Sequence, residues 1–445
     1  MASPQIPTIW RLRQGLEKKF FRGHPWVFSN DLDQSPKGHP PGAFVELRDS
    51  RDQFLAFGYG NPATLIAFRV LSRIPVSSVA DFLKTVFSRA AHARHMTGVD
   101  RYSHRLVFGE ADGLPGIIVD RYLTTKPIHA QVFVVQSSTA GGDQLLPEIK
   151  QALLQFPDRA CAFSGRGEEL PTVIVLAQDS SSRAMEGLSK LERECVLPAG
   201  ILPEQFDGRR ATIAVQIGES VAREAYVEYD VDFIDGQKTG FFLDQRLNVR
   251  LSWPMISRLA KRCAEEGRPL KVLDLFCYVG QWSVQIAHAA KSAGAKAEIT
   301  IADASASALE LAAANVDRVG TGQVVVKKSD ILSEISQYPV GAYDVVICDP
   351  PAFIKKKKDH PTGRAAYLKL NREALKRVKA DGLLVSCSCS GLFLDAEFDE
   401  MLSDAKRLSG REILWVARGG HGEDHPSRSE FPQGRYLKGA VGIVT

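Results

Sequence analysis

Two thiols stand two residues apart in Ser386-Cys387-Ser388-Cys389-Ser390-Gly391, at the end of an apolar run over 383–387 that reads as a strand. Cys389 falls just past that strand, where a thiol can be exposed. Its Ser and Gly neighbours are small enough to leave room for a substrate. A thiolate is a strong nucleophile, so Cys389 is assigned that role. Cys387, Cys348, Cys263 and Cys161 are read instead as buried thiols acting as small hydrophobes. One Cys-x-Cys pair without a second pair is a poor zinc site, and no metal is expected.

The remaining chemistry is carboxylate chemistry at strand ends. Asp349-Pro350-Pro351-Ala352-Phe353 follows an apolar run over 343–348. Two prolines set the chain direction and remove two N–H donors. An acid fixed there, followed by an aromatic, suits gripping a flat base; a strand-terminating turn is the plainer reading. Asp274-Leu275-Phe276-Cys277-Tyr278-Val279-Gly280 closes another apolar run, with a helix starting near Trp282. Gly280 would let the backbone approach a ligand closely, although an ordinary strand-to-helix turn also uses a glycine. Asp303 ends the next strand. An acid there accepts hydrogen bonds from ribose hydroxyls in nucleotide-type sites, or serves a helix N-terminus. Asp330, after a third strand, has the same two readings. Three acids at three successive strand ends make a ligand site more than coincidence.

These residues need strands that end side by side. From about Gln237 the pattern alternates: strands over 271–276, 299–302, 324–327, 343–348 and 383–387, helices over 305–319 and 365–379, with Ser305 as N-cap. Such alternation predicts an α/β fold with a mostly parallel sheet covered on both faces. Ligands in such sheets bind beyond the C-terminal strand ends, where the strand order reverses. Before it, residues 8–73 read as a small β-rich module, with strands over 43–47 and 54–58 between Pro/Gly clusters. A helix over 79–96, strands over 117–119, 131–135 and 172–176, a helix over 143–154 and a strand-like stretch over 200–235 fill the middle.

Composition bounds the rest. The 445 residues are 44% hydrophobic and 24% charged, enough to bury several cores. No run of about 18 apolar residues occurs and no signal-type segment opens the chain, so neither membrane nor export is expected. Seven cysteines without framework spacing suit a reducing cytoplasm. Residues 1–75 hold ten Lys and Arg against six Asp and Glu; of the chain's 56 and 52, that leaves 46 of each elsewhere. The whole surplus of four positive charges sits on the first module, which is consistent with phosphate binding and equally with ordinary surface chemistry.

Several segments together resemble the RlmI-like family of bacterial large-subunit ribosomal RNA cytosine-C5 methyltransferases. They are Gly23-His24-Pro25-Trp26-Val27-Phe28-Ser29 and Gly58-Tyr59-Gly60-Asn61-Pro62, the stretch from Arg105 to Gly116, Val119-Asp120-Arg121-Tyr122, Lys238 to Arg246, the segments at Asp274, Asp303, Asp349 and Cys389, and Arg435-Tyr436-Leu437-Lys438-Gly439. The resemblance spans most of the chain. It implies a PUA-like RNA-binding barrel over 1–75, an α+β middle domain over 76–236 and a Rossmann-like class I methyltransferase domain over 237–445. It implies S-adenosylmethionine as cofactor, bound by Asp274, Phe276, Cys277, Tyr278, Gly280, Asp303, Asp330 and Asp349. Cys389 and Asp349 are then catalytic, the partner is RNA, 23S rRNA in particular, and a homodimer is allowed. Lys18, Lys19 and Arg22 are the expected phosphate contacts. The sequence departs from the family pattern at Gln281-Trp282 and at Ala352, and its middle region is enlarged.

Cytosine C5 is too weak a nucleophile to take a methyl group unaided. A thiolate adding at C6 makes C5 nucleophilic, which is the use expected of Cys389; Asp349 would hydrogen-bond the base near N3 and N4. One alternative is an exocyclic-amine methyltransferase built on Asp349-Pro350-Pro351, although Ala352 intervenes before the aromatic Phe353 and such an enzyme needs no cysteine. A second is a non-catalytic ribosome-assembly factor that only binds RNA.

Overall fold

The computed structural model describes residues 8–156, 170–218 and 226–445; Cys161 and the side chain of Lys19 fall outside them. The chain forms two compact units. One comprises Met1–Ala211, Asp232–Gly240 and Glu423–Gly434, the other Thr212–Val231, Phe241–Gly422 and Arg435–Thr445.

In the first unit, strands Thr8–Arg11, Phe44–Arg48, Phe54–Gly60, Phe68–Ser72 and Trp26–Val27 form one sheet in that order. Strand Phe44–Arg48 alternates between half-buried and buried positions, as one core-facing side requires, and Val45 and Leu47 pack with Trp10, Phe20, Val27 and Phe68. Beside it, strands Ile117–Lys126, Ala130–Ser137 and Thr172–Ala177 lie under helices Val79–Thr97 and Ala140–Leu154. The helices bring Leu83, Val86, Phe87, Leu145 and Ile149 onto Ile117, Val119, Phe133 and Val135. Phe57, Tyr59 and Leu71 belong to the same cluster, so the first sheet and the middle elements share a core.

Among the described residues, three of the first module's ten cations are already paired with carboxylates. Arg11 and Arg48 pair with Asp52, Arg48 also with Glu46, and buried Arg69 with Glu186. Lys18 and Arg22 are exposed and have no carboxylate partner among the described residues.

The second unit carries the expected α/β sheet. Its strand order is Gly322–Lys328, Ala297–Asp303, Leu270–Leu275, Tyr343–Cys348, Val378–Ser388, Lys438–Val444, Ile413–Gly419. The first five run parallel; Lys438–Val444 is antiparallel to both its neighbours. Every residue of Tyr343–Cys348 is buried, as a central strand covered on both faces must be. The order reverses between Leu270–Leu275 and Tyr343–Cys348, so Asp274 and Asp349 flank the switch point.

Five elements differ from the sequence reading. The helix expected over 365–379 runs His360–Arg377, with Pro361 in its first turn, where a missing N–H costs nothing; Val378 already begins a strand. Helix Arg246–Glu265 lies outside the expected pattern and carries Pro254 within it. Strands Ile413–Gly419 and Lys438–Val444 and helix Asp395–Ser409 also lay outside the expected pattern. Ser305 does cap helix Ala306–Val319, accepting the Ala308 amide at 3.3 Å.

Candidate active site

The loop after Leu270–Leu275 is tightly bent. Phe276, Tyr278 and Gly280 all have positive φ, of 63°, 49° and 81°. Two of these are not glycine, and left-handed backbone at bulky residues persists only where surroundings hold it. Here Cys277 N donates to Ala302 O at 3.1 Å, Tyr278 N to an Asp303 carboxylate oxygen at 3.1 Å, and Gly280 N to Cys277 O at 2.8 Å. Gly280 permits a close approach, but to helix Ala306–Val319: a Cβ there would lie 3.2 Å from Ala312 Cα. Asn315 holds the loop from below, its Nδ2 donating to Val279 O at 3.0 Å. Tyr229 OH donates to Gln281 O at 3.0 Å.

Asp274 is buried. One carboxylate oxygen accepts a 2.6 Å bond from Ser283 Oγ, and the other has no partner among the described residues. Burial, with the nearby Asp349 and Asp303 charges, pushes its pKa up to about 7. Asp303 bonds the Tyr278 amide with one oxygen and the Ser305 amide, at 2.9 Å, with the other. It therefore ties the loop and begins the helix at once, while each oxygen keeps a lone pair for a further donor. Asp330 is exposed at the N-cap of the single turn Ile331–Glu334, and its side chain makes no capping bond. Ser329 N donates to Asp303 O at 3.0 Å, which sets the Asp330 segment beside Asp303.

Asp349 is braced by two residues that sequence reading did not assign to the site. Gln245 Nε2 lies 2.8 Å from each carboxylate oxygen, and Trp282 Nε1 lies 3.2 Å from one. Gln245 Oε1 in turn accepts from Asn248 Nδ2 at 2.6 Å. The signals were present: Gln245 lies within the Lys238–Arg246 segment, and Trp282 is one of the departures from the family pattern. Beyond Asp349, Phe353 lies between Phe276, at 6.4 Å between ring centroids, and Tyr367, at 4.7 Å.

Cys389 is half-buried at the end of Val378–Ser388, and its thiol donates to Pro350 O at 3.7 Å. Its sulfur is thus brought to the residue following Asp349. Ser388 and Ser390 are buried and occupied rather than spacious. Ser390 Oγ accepts the Ile354 amide at 3.0 Å and pairs with Tyr367 OH at 2.9 Å; Ser390 N donates to Ser388 Oγ at 3.4 Å. The serines build the loop, and Gly391 is its exposed member. Cys387, Cys348 and Cys263 are buried free thiols, each with its pKa raised first by burial, as expected of structural cysteines. Cys277 is equally buried, its thiol 3.7 Å from Tyr278 O and its pKa far raised, so it offers the site its backbone.

Residues 11–73 match the family of PUA-like domains and residues 267–426 a methyltransferase domain family. The chain is 32% identical to the ribosomal RNA large subunit methyltransferase I of Shewanella frigidimarina and 30% identical to that of Photobacterium profundum, each match covering 98% of both chains. The chain belongs to this methyltransferase family. Its cofactor is S-adenosylmethionine. A methyltransferase solved with SAH shares the fold at a TM-score of 0.68 and 20% identity, covering 99% of this chain and all of that one. An S-adenosylmethionine-dependent methyltransferase from Streptococcus mutans does so at 0.67 and 17%, covering 98% and all.

The family's cofactor suits these residues. Three carboxylates, Asp274, Asp303 and Asp349, lie at the C-terminal ends of three neighbouring strands, and Asp274 has an oxygen in need of a donor. A ligand carrying an ammonium, a sulfonium and ribose hydroxyls offers cations and donors to such a cluster. Among the described residues no group of three His, Cys, Asp or Glu could hold a metal, and no helix is long and apolar enough to cross a membrane.

Proposed function

We propose that the protein methylates C5 of a cytosine in large-subunit, 23S, ribosomal RNA through a covalent Cys389–C6 adduct. The observation that carries this is the half-buried Cys389 thiol lying 3.7 Å from Pro350 O, beside an Asp349 carboxylate already locked by Gln245 and Trp282. An amine methyltransferase needs the Asp349 element alone; a thiol held against it serves covalent catalysis.

S-adenosylmethionine supplies an electrophilic methyl group. Asp303 and Asp330 receive its ribose end and Asp274 its charged end. Asp349 holds the cytosine edge near N3 and N4, its own oxygens kept in place by Gln245 and Trp282. Phe353 offers a ring face to the base. Cys389 adds as thiolate to C6, forming the S–C6 bond and moving the C5=C6 electron pair towards C5. C5 would take the methyl group with that pair, S-adenosylhomocysteine leaving with the pair of the broken S–CH3 bond; C5 still carries its proton, a base removes it, the electrons re-form C5=C6, and the S–C6 bond breaks with its pair returning to Cys389.

The chain divides by role into residues 1–75, supplying RNA affinity through Lys18, Lys19 and Arg22, a middle region over 76–236, and the catalytic region over 237–445. A ribosomal RNA substrate fits a cytoplasmic enzyme. A homodimer is compatible with this reading, and sedimentation measures it directly.

Target RNA carrying 5-fluorocytidine tests the mechanism. Fluorine replaces the proton that must leave C5, so wild-type enzyme should become trapped on the RNA and survive denaturing gels. Cys389→Ala should bind cofactor and RNA and form no adduct. Full activity in Cys389→Ala, with no wild-type adduct, would move the chemistry to an exocyclic amine at Asp349 and Phe353.

A further inference from the structure

Lys438 is the fourth residue of Arg435-Tyr436-Leu437-Lys438-Gly439 and the first of the antiparallel strand Lys438–Val444. That strand's register sets Lys438 opposite Ser388, one residue before Cys389. Lys438 is only 5% exposed. Its Nζ donates to Ser390 O at 2.7 Å and to Tyr436 O at 2.8 Å, so the ammonium clasps the carbonyl immediately after the nucleophile. No carboxylate lies within 4.0 Å of it among the described residues. Burying an ammonium against carbonyl dipoles alone is costly, and folds retain such groups where another charge repays them.

We propose that Lys438 is the positioning residue that fixes the Cys389 loop and favours its thiolate, through the Nζ–Ser390 O bond. This rests on reading Cys389 as the nucleophile. Opposing it, Pro350 O accepts the Cys389 S–H and so favours the neutral thiol. The groups facing Lys438 are few. Asp395 and Glu397 come from helix Asp395–Ser409, Cys389 from the loop, and Tyr436 from the segment just before its own strand. Tyr367, on helix His360–Arg377, also lies near Cys389; burial pushes its phenol up to about 12, so it stays neutral. Burial lowers the Lys438 pKa, while Asp395, then a Cys389 thiolate, then Glu397 support its charge. The coupling is reciprocal: whatever a thiolate does for the ammonium, the ammonium does for the thiolate.

The test is peptide-resolved alkylation of the full-length protein by iodoacetamide between pH 5.5 and 9.5, without RNA. Cys195, pushed up to about 11 by burial, is the internal reference thiol. Wild-type Cys389 should react with a midpoint at least about one unit below the ordinary thiol value of about 8.5. Lys438→Gln keeps a donor for Ser390 O and removes the charge; its midpoint should rise by about one unit, making alkylation near neutral pH about tenfold slower. Lys438→Arg should stay near wild type. A wild-type midpoint at or above about 8.5 overturns the proposal, as does a Lys438→Gln profile that superposes on wild type. Should Lys438→Gln expose Cys387 as well, it has unfolded, and the wild-type and Lys438→Arg profiles decide alone. The nucleophile reading fails separately: a low Cys389 midpoint with no 5-fluorocytidine adduct sinks that reading and leaves the Lys438 effect standing.

Discussion

Gln245 places a single amide nitrogen 2.8 Å from both carboxylate oxygens of Asp349, with Asn248 holding Gln245 from behind at 2.6 Å. A carboxylate so bridged cannot rotate freely, and a base hydrogen-bonded to it inherits that orientation. Gln245→Ala should leave S-adenosylmethionine affinity nearly unchanged and cut single-turnover methylation about 10–100-fold, the worth of roughly 1.5–3 kcal/mol for a hydrogen bond to a charged group. Gln245→Glu should do worse, since it sets a like charge against Asp349. A single-turnover rate equal to wild type in both variants would remove Gln245 from the machinery.

Asp274 makes cofactor binding depend on pH. Its folded pKa of about 7 lies above the ordinary 3.8, so the neutral acid is the form the cofactor-free fold prefers. The sign follows: the stability that burial of the neutral acid provides is complete below about pH 4 and is lost as pH rises through 7. A cationic ligand prefers the ionised form, so S-adenosylmethionine affinity should fall as pH drops below 7, by up to about tenfold per unit. SAH, lacking the sulfonium, should show a shallower dependence. Asp274→Asn should raise the melting temperature of the free protein above pH 7, weaken cofactor binding and flatten its pH profile. Titration calorimetry at pH 5.5 to 8 measures the binding, and thermal unfolding over the same range the melting temperature.

Asp303 carries two amide bonds of its own, so its loss should cost both ribose contact and loop order. Asp303→Ala should weaken cofactor binding by about 1–3 kcal/mol. Asp303→Asn, which can still accept one amide bond, should fall between. Unchanged affinity in a folded Asp303→Ala protein would reject the ribose assignment.

Lys18 and Arg22 are exposed cations of the first module without a carboxylate partner among the described residues, as are Lys37 and Arg51, whereas Arg11, Arg48 and Arg69 are engaged. Neutralising Lys18, Lys19 and Arg22 together should flatten the salt dependence of RNA binding by up to about 0.7 log-log units per lost single-strand contact. Neutralising Arg48 should leave that slope as it was. Equal slopes for the triple variant and wild type would place the RNA elsewhere.

Cys387 lies two residues before Cys389, fully buried, its sulfur 3.8 Å from Gln245 Oε1. Cys387→Ala should still form the 5-fluorocytidine adduct and lose at most a modest part of its rate through a looser Gln245. An adduct that moves to Cys387 in Cys389→Ala would mean the loop can present either thiol.

The amino-acid sequence by itself determined the α/β sheet, the acids at its strand ends and the contrast between a buried Cys387 and a more accessible Cys389, because all three depend on local pattern. Apolar runs mark strands; the residue just past a run is its end; a thiol there is nearer solvent than one inside. Ser305 was legible as a cap for the same local reason. Only the tertiary structure decided who braces the site. Gln245 is 104 residues from Asp349 and Trp282 is 67, and their meeting follows from sheet order and helix placement. Lys438 reaches Ser390 across 48 residues because its strand is inserted antiparallel between two others, a pairing invisible in a seven-residue run. The serines flanking Cys389 read as space from their size and proved to be scaffold, since a hydroxyl's use depends on what faces it. Side-chain identity is local information, but hydrogen-bond partnership across a sheet is not.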